Sequence, residues 1–348
     1  MRFDSLPKIA LAATLATPAL SACSGGAQGV PAGPATAGGP QQLAAAYHRV
    51  VAPDGSLSVW PAGFTPRPLR GGALRPAPQG AAKGNVAVAQ FGTTSVLWFP
   101  KSDRKNHPPT VCEPASSTNG IAVDAGGNLW VPNGRADTTT KYAPDCGAAL
   151  LTIPDPTGEP ADLTFDSKGN VYIMNLSDIS GPPTVNVYNA AGTQIATLSD
   201  PSFAVPMGIG TDSHDNVFVS NLQKNNAGNI VAFAGGQMPG KALGATLGLP
   251  GKPVFDSEDN MILSDWEALT LDVFAPPYGG TPKTSPIKGS SIWCPLGTTK
   301  KRIFCGDADN GSIDVFAYPG GKYLYSYTAG LSASELVTGV APAPAAKL

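Results

Sequence analysis

Six positions carry side chains that could act together: Gln90, Asn133, Asn175, Asn221, Asp265 and Asp307. Each is an amide or a carboxylate, and each stands five residues after the turn of a short apolar hairpin. Oxygen-bearing side chains at one repeated place can ring a ligand or a cation. The same side chains can instead hydrogen-bond the backbone of the following loop, and turn polars usually do this, so the local role is the favoured one. A second set lies nine residues before the turn: Asn119, Ala161, Met207, Gly251 and Trp293, with Thr338 from a terminal strand. Only Asn119 is a strong oxygen ligand there. Asp162 is displaced by one residue and is expected to point elsewhere, because side chains alternate along a strand. A hard cation wants about six oxygens, several from carboxylates. The expectation is therefore no bound metal and no other cofactor.

Asp307-Ala308-Asp309-Asn310-Gly311 invites a calcium-loop reading. Its glycine comes one place early and no glutamate closes the loop, so a tight turn is expected instead. The histidines are His48, His107 and His214, and no Ser–His–Asp set is expected from their positions. The apolar candidates are more suggestive. Phe91 and Trp266 directly follow the polar set, and Trp293 and Met207 open two repeats beside it. Such residues can form a surface for a partner or a sugar, or can be ordinary packing under loops.

The elements that must hold these side chains come from a repeat. NGIAVDAGGNLWVPN (119–133) returns as ADLTFDSKGNVYIMN, MGIGTDSHDNVFVSN and GKPVFDSEDNMILSD. The turn residues are Asn85, Asn128, Asn170, Asn216, Asn260 and, with a substitution, Arg302, spaced by 43, 42, 46, 44 and 42 residues. That period suits four strands and their turns, a propeller blade. The alternating, β-branched and aromatic runs are strands rather than helices. Asp124, Asp166, Asp212 and Asp256 are placed to bond the turn amides. A third strand follows with Phe99, Tyr142, Tyr188, Phe233, Phe274 or Phe316 in phase. The first unit lacks its opening strand, and residues 337–341 (VTGVA) can supply it and close the ring. The expected fold is all-β, a six-bladed β-propeller over 84–343 latched by the C-terminal strand and preceded by a disordered tether.

Phrases such as GIAVDAGGNLWVPN and GKPVFDSEDNMILSD resemble NHL-type propellers, and more broadly the six-bladed group that includes regucalcin and gluconolactonase. The resemblance covers most of 85–340 and rests on turn and core residues. It implies the fold, and it implies that an enzyme of the regucalcin kind would hold a divalent cation with Glu, Asn and Asp side chains in the channel. Those positions depart from that pattern here. Two functions follow as expectations. The first is a non-catalytic scaffold that presents its channel face to a protein, peptide or glycan. The second is a lactonase-like hydrolase of the gluconolactonase type.

The chain has 348 residues, a net charge of −2 and only 14% charged residues, so no nucleic-acid footprint exists. Arg2 and Lys8 flank an apolar run, 9–20, too short to span a bilayer. It ends in Leu20-Ser21-Ala22-Cys23, which resembles the lipobox of bacterial lipoproteins. Residues 1–22 thus read as a lipoprotein signal peptide, Cys23 as the lipid-bearing residue, and the product as a monomer anchored in the bacterial cell envelope. Residues 23–83 are rich in Gly, Pro and Ala and read as a tether, with 47–64, including Trp60, as a stretch able to pack. Four cysteines remain: Cys112, Cys146, Cys294 and Cys305. An even number in an exported chain suggests two disulfides. A two-residue turn at Thr299-Lys300 would set Cys294 opposite Cys305, leaving Cys112 to join Cys146 across neighbouring blades.

Overall fold

Each repeat folds as expected in the computed structural model, which describes residues 47–51, 57–61, 85–90, 95–100, 109–112, 120–134, 136–144, 148–156, 158–176, 182–223, 227–245, 247–287, 296–307, 310–331 and 337–342. Six four-stranded antiparallel sheets form the blades of a propeller. Blade 1 joins the C-terminal strand Val337–Pro342 to Asn85–Gln90, Val96–Pro100 and Thr110–Cys112. The closing strand sets Val337 opposite Gln90 and Pro342 opposite Val86, so the ring is latched by the tail. Blades 2 to 6 are meanders whose second strands are Leu129–Asn133, Val171–Leu176, Val217–Leu222, Met261–Asp265 and Arg302–Asp307. A separate hairpin, Tyr47–Val51 against Leu57–Pro61, lies inside the stretch read as tether. Cys23 and the rest of that stretch are outside the described residues.

The core is a ring rather than a ball. Six apolar clusters each fill one interface between neighbouring blades. Strand alternation explains how one sheet serves two interfaces. In Asn85–Gln90, Ala87 and Ala89 pack towards blade 2, whereas Val86 and Val88 pack towards blade 6. The in-phase aromatics Phe99, Tyr188, Phe233, Phe274 and Phe316 are all buried this way.

In blades 2 to 5 the first turn is built by an aspartate. Asp166 Oδ1 accepts the amides of Lys168 (3.0 Å) and Asn170 (2.8 Å), and Asp212 and Asp256 repeat the arrangement. The residue before the turn Asn needs positive φ. Gly127 and Gly169 supply it in blades 2 and 3, but Asp215 (φ 62°) and Asp259 (φ 58°) stand there in blades 4 and 5. Their carboxylates explain the exception, because each reaches back to the preceding blade. Asp215 takes the amide and hydroxyl of Ser167, and Asp259 takes those of Ser213.

Candidate functional site at the channel

Three of the six innermost strands share one irregularity that the sequence pattern hides. Glu159–Phe165, Val205–Thr211 and Val337–Pro342 each carry a β-bulge, at Ala161, Met207 and Thr338. These are the positions nine residues before the turn (or their counterpart in the closing strand). A bulge re-aims the side chains around it, and this overturns the expectation for Asp162. Its carboxylate does not point away. Asp162 Oδ2 accepts the Ile209 amide of blade 4 at 3.1 Å, and Oδ1 meets Lys252 Nζ of blade 5 at 2.6 Å. Lys252 also donates to Leu163 O at 3.2 Å.

Asp162 and Lys252 occupy the same place in their repeats, eight residues before the turn Asn. Glycines at that place in other blades leave them room. A Cβ on Gly120 would lie 2.5 Å from Asp162 Oδ1, and one on Gly208 would lie 2.5 Å from Lys252 Cα. The pair is largely enclosed, with side-chain exposures of 19% for Lys252 and 8% for Asp162. Beside it runs a channel cavity of ≈ 160 Å³, bordered by Phe165, Thr211, Phe255, Thr298 and Val340 as well as Lys252. Pockets for drug-sized ligands hold about 300–1,000 Å³, so this one suits water or a very small guest. Among the described residues no three His, Cys, Asp or Glu side chains converge on a point.

The polar set five residues after the turn lies at the mouth, and its hydrogen bonds are local. Asn221 Oδ1 accepts the amides of Ala204 (3.0 Å) and Val205 (3.2 Å), and its Nδ2 donates to Ser202 O and Asn229 Oδ1. Asp265 accepts four amides, from Gly248, Leu249, Glu267 and Ala268. Asn175 and Asn186 both donate to the fully buried Asp155, at 2.9 and 2.7 Å. In blades 3, 4 and 5 these residues therefore clamp the linker that arrives from the previous blade. Asp307 instead bonds within its own blade, accepting the Asn310 amide (3.1 Å) and Nδ2 (2.8 Å), while Ala308 and Asp309 lie outside the described residues. Gln90 is buried and Asn133 is half-buried. Trp266 is only 3% exposed, and its indole N–H donates to Ser264 Oγ at 2.7 Å. Met207 is half-buried against the same cluster. Phe91, Asn119 and Trp293 lie outside the described residues.

The opposite face holds a constellation that the sequence did not suggest. Ser213 Oγ donates to Asp259 Oδ2 at 2.6 Å, and His214 Nδ1 stands 3.1 Å from the same oxygen. In a catalytic triad the histidine lies between serine and carboxylate. Here both sit on the one carboxylate and the imidazole is largely exposed, so the group is a staple between blades 4 and 5.

The register of blade 6 also differs from expectation. Its first hairpin turns at Lys300-Lys301, with Thr299 opposite Arg302, so Leu296 rather than Cys294 faces Cys305. The hydroxyls of Thr298 and Thr299 both reach Arg302 O, which keeps Thr299 within the strand. Cys146 and Cys294 lie outside the described residues.

No family model matches the chain, and no curated protein does. Solved structures do. A chain of a nidogen/laminin complex aligns over 74% of this chain and 97% of its own, with a TM-score of 0.64 and 18% identity. A Bacteroides caccae protein of unknown function aligns over 74% and 98%, with a TM-score of 0.57 and 13% identity. Likeness at this level speaks to architecture. The chain is a six-bladed β-propeller distantly like the NHL-type propellers in fold.

Proposed function

We propose that the chain is a non-catalytic propeller, anchored in the bacterial envelope, that binds or scaffolds a protein, peptide or glycan through its channel face. The observation that carries this reading is the Lys252–Asp162 pair. A lactonase-like hydrolase of the regucalcin kind needs carboxylates and amides open to a cation. Here an ammonium already sits at 2.6 Å from the carboxylate brought between the inner strands. The mouth amides and carboxylates hold linkers, which gives a rigid rim rather than a set of free acids and bases. The contact surface would be the half-buried Met207 and Thr338, set out by their bulges, with the rim positions Gln90, Asn133, Asn175, Asn221, Asp265 and Asp307 around them. Asn119, Phe91 and Trp293 belong to the same proposed mouth by their place in the repeat. A propeller in a nidogen/laminin complex lends the reading a precedent.

Anchoring would use a lipid on Cys23 and the tether that follows it. Disulfides Cys112–Cys146 and Cys294–Cys305 complete the proposal, supported by the even number of cysteines that follow Cys23. Oxidised cysteines suit an exported chain.

Two measurements test the function together. Purified protein, with and without Mn²⁺, Ca²⁺ or Zn²⁺, is offered a panel of sugar lactones, and no metal-dependent turnover is expected. A photoreactive residue at Met207 in intact cells is expected to give a defined adduct, while one at the exposed His214 gives none. Metal-stimulated lactone hydrolysis abolished by Asp162→Asn would overturn the reading, as would equal crosslinking from both faces.

A further inference from the structure

Among the described residues, six buried side-chain atoms have no hydrogen-bond partner, and all are oxygens: Asn133 Oδ1, Thr139 Oγ1, Asn175 Oδ1, Thr184 Oγ1, Thr270 Oγ1 and Asp272 Oδ1. They fall two to a blade: one each in the second and third strands of blades 2 and 3, and both in the third strand of blade 5. Buried polar atoms are normally satisfied, so an orphan requires an explanation such as an ordered water or an ion. In blades 2 and 3 the orphans are neutral, and a water meets their need. Blade 5 is different, because one of its orphans belongs to a carboxylate that is only 4% exposed.

Comparison between blades shows what Asp272 lacks. In blade 3 the same strand position is Asn186, which donates to Asp155 and accepts the Thr197 hydroxyl at 2.9 Å. In blade 6 it is Asp314, which accepts the hydroxyls of Ser312 (3.2 Å) and Ser326 (2.5 Å). In blade 5 it is Asp272, opposite Leu263 and two residues on from Thr270, which faces Asp265. Strand alternation puts Asp265, Thr270 and Asp272 on one face of the sheet. Blade 3 thus sets two amides around a built-in anion, Asp155, whereas blade 5 sets two carboxylates at the equivalent corner with no built-in cation. No Lys, Arg or His among the described residues pairs with Asp265, Glu267 or Asp272. Burial, and then the neighbouring Asp265, push the carboxyl of Asp272 above the usual range despite the closeness of Thr270, whose hydroxyl makes no well-formed bond to it. Burial and Asp265 do the same to Glu267.

We infer that the Asp265–Thr270–Asp272 corner of blade 5 is a binding site for a hard cation of the calcium class, with Asp272 and the Thr270 hydroxyl facing the ion. Asp265, its oxygens occupied by amides, supplies negative field from behind. All donors are oxygens, as such a cation prefers, and an unpaired buried carboxylate costs several kcal/mol that a cation removes. With few protein ligands, water completes the shell, which places affinity in the weak range of about 10⁻⁴–10⁻³ M. The site shares Asp265 with the rim of the mouth but not Asp162, Lys252, Met207 or Thr338, so its failure and that of the scaffold reading are distinguishable.

The test is thermal unfolding of the full chain after chelation, with CaCl₂, MgCl₂ or NaCl added back at matched ionic strength. Calcium at ten times its Kd is expected to raise Tm by about 2–4 °C. Asp272→Asn copies the residue that blade 3 uses, so it is expected to fold, to lose the calcium shift, and to match or exceed the chelated wild type in Tm. A wild type indifferent to calcium would overturn the inference. So would an equal calcium shift in both proteins. Should Asp272→Asn not fold, Thr270→Val keeps the charge and removes the hydroxyl. Calorimetry is then expected to show at least a threefold loss of calcium affinity, and unchanged affinity overturns the site.

Discussion

Asp162 and Lys252 stand ninety residues apart and close a contact across the middle of the ring. Each occupies a place that is glycine in blades 2 and 4, so the pair is a local departure from the repeat rather than part of it. Removing one partner of an enclosed ion pair leaves a stranded charge. Lys252→Met should therefore cost about 3 kcal/mol, the low end for such a loss, because Lys252 keeps some solvent contact. Adding Asp162→Asn should restore most of that loss. Denaturant unfolding with an unchanged slope and a shifted midpoint reads the effect, and a double-mutant cycle gives the coupling. The pair was present in the sequence as two opposite charges in a column of glycines. It went unread because strict alternation turned Asp162 outward, and only the bulge at Ala161 turns it back. Trp266 was legible as an aromatic at the mouth that could equally be ordinary packing, and it is buried, against Ser264 and the blade 6 contact.

In blades 2 to 5 the first hairpin is an element whose electrostatics can be read directly. Its aspartate meets the turn amides on one side and a ring donor on the other. The donor is Trp130 Nε1 at Asp124 (3.0 Å), Tyr278 at Asp212 (3.3 Å) and Tyr318 at Asp256. Burial works to raise the pKa of Asp124 and Asp256, but hydrogen bonds, from Trp130 and Asn128 in one case and from Tyr318 and Asn260 in the other, bring both below the ordinary value. Burial and then the Asp166 charge push Tyr172 up to about 12, and burial with neighbouring aspartates also pushes up Tyr188, Tyr278 and Tyr318. The sign follows from linkage. A tyrosine whose folded pKa is raised keeps its stabilising effect below its unfolded value near 10 and loses it as pH climbs through the folded value. A depressed aspartate keeps its effect above about 4 and loses it on further acidification. Tm is thus expected to hold from neutral pH to about 10 and then fall steeply towards 12, with the share of tyrosinate absorbance that belongs to Tyr172, Tyr188, Tyr278 and Tyr318 rising only as the fold is lost. Smooth ionisation of all tyrosines near pH 10 with Tm unmoved would contradict it. The sequence made the aspartate and its amides plain, because they lie within five residues of each other. The tyrosines come from other strands, and Tyr278 and Tyr318 from the next blade, so periodicity could not show them.

At the scale of the molecule, one strand decides whether there is a ring. Val337, Val340 and Ala341 contribute to the interfaces on both sides of blade 1. Their burial is worth roughly 5 kcal/mol, about the whole margin of a marginally stable domain. Deleting 337–348 should abolish cooperative unfolding and drive association through the bared edge of Asn85–Gln90, as read by calorimetry and size-exclusion chromatography. An unaltered melt would show the tail to be dispensable. Blade count, turn chemistry and latch were legible because four copies of one phrase, and six in-phase aromatics, average out local noise. The channel's contents were not, because function and exception lie where a copy differs from its siblings.

The latch has a consequence for how the molecule is made. Blades 2 to 6 are assembled from neighbours in sequence, while Val86 must wait for Pro342. Distant pairing is the slow part of folding. A chain that emerges amino end first therefore carries its first sheet one strand short until residues 337–342 have been made, and only then can the circle shut.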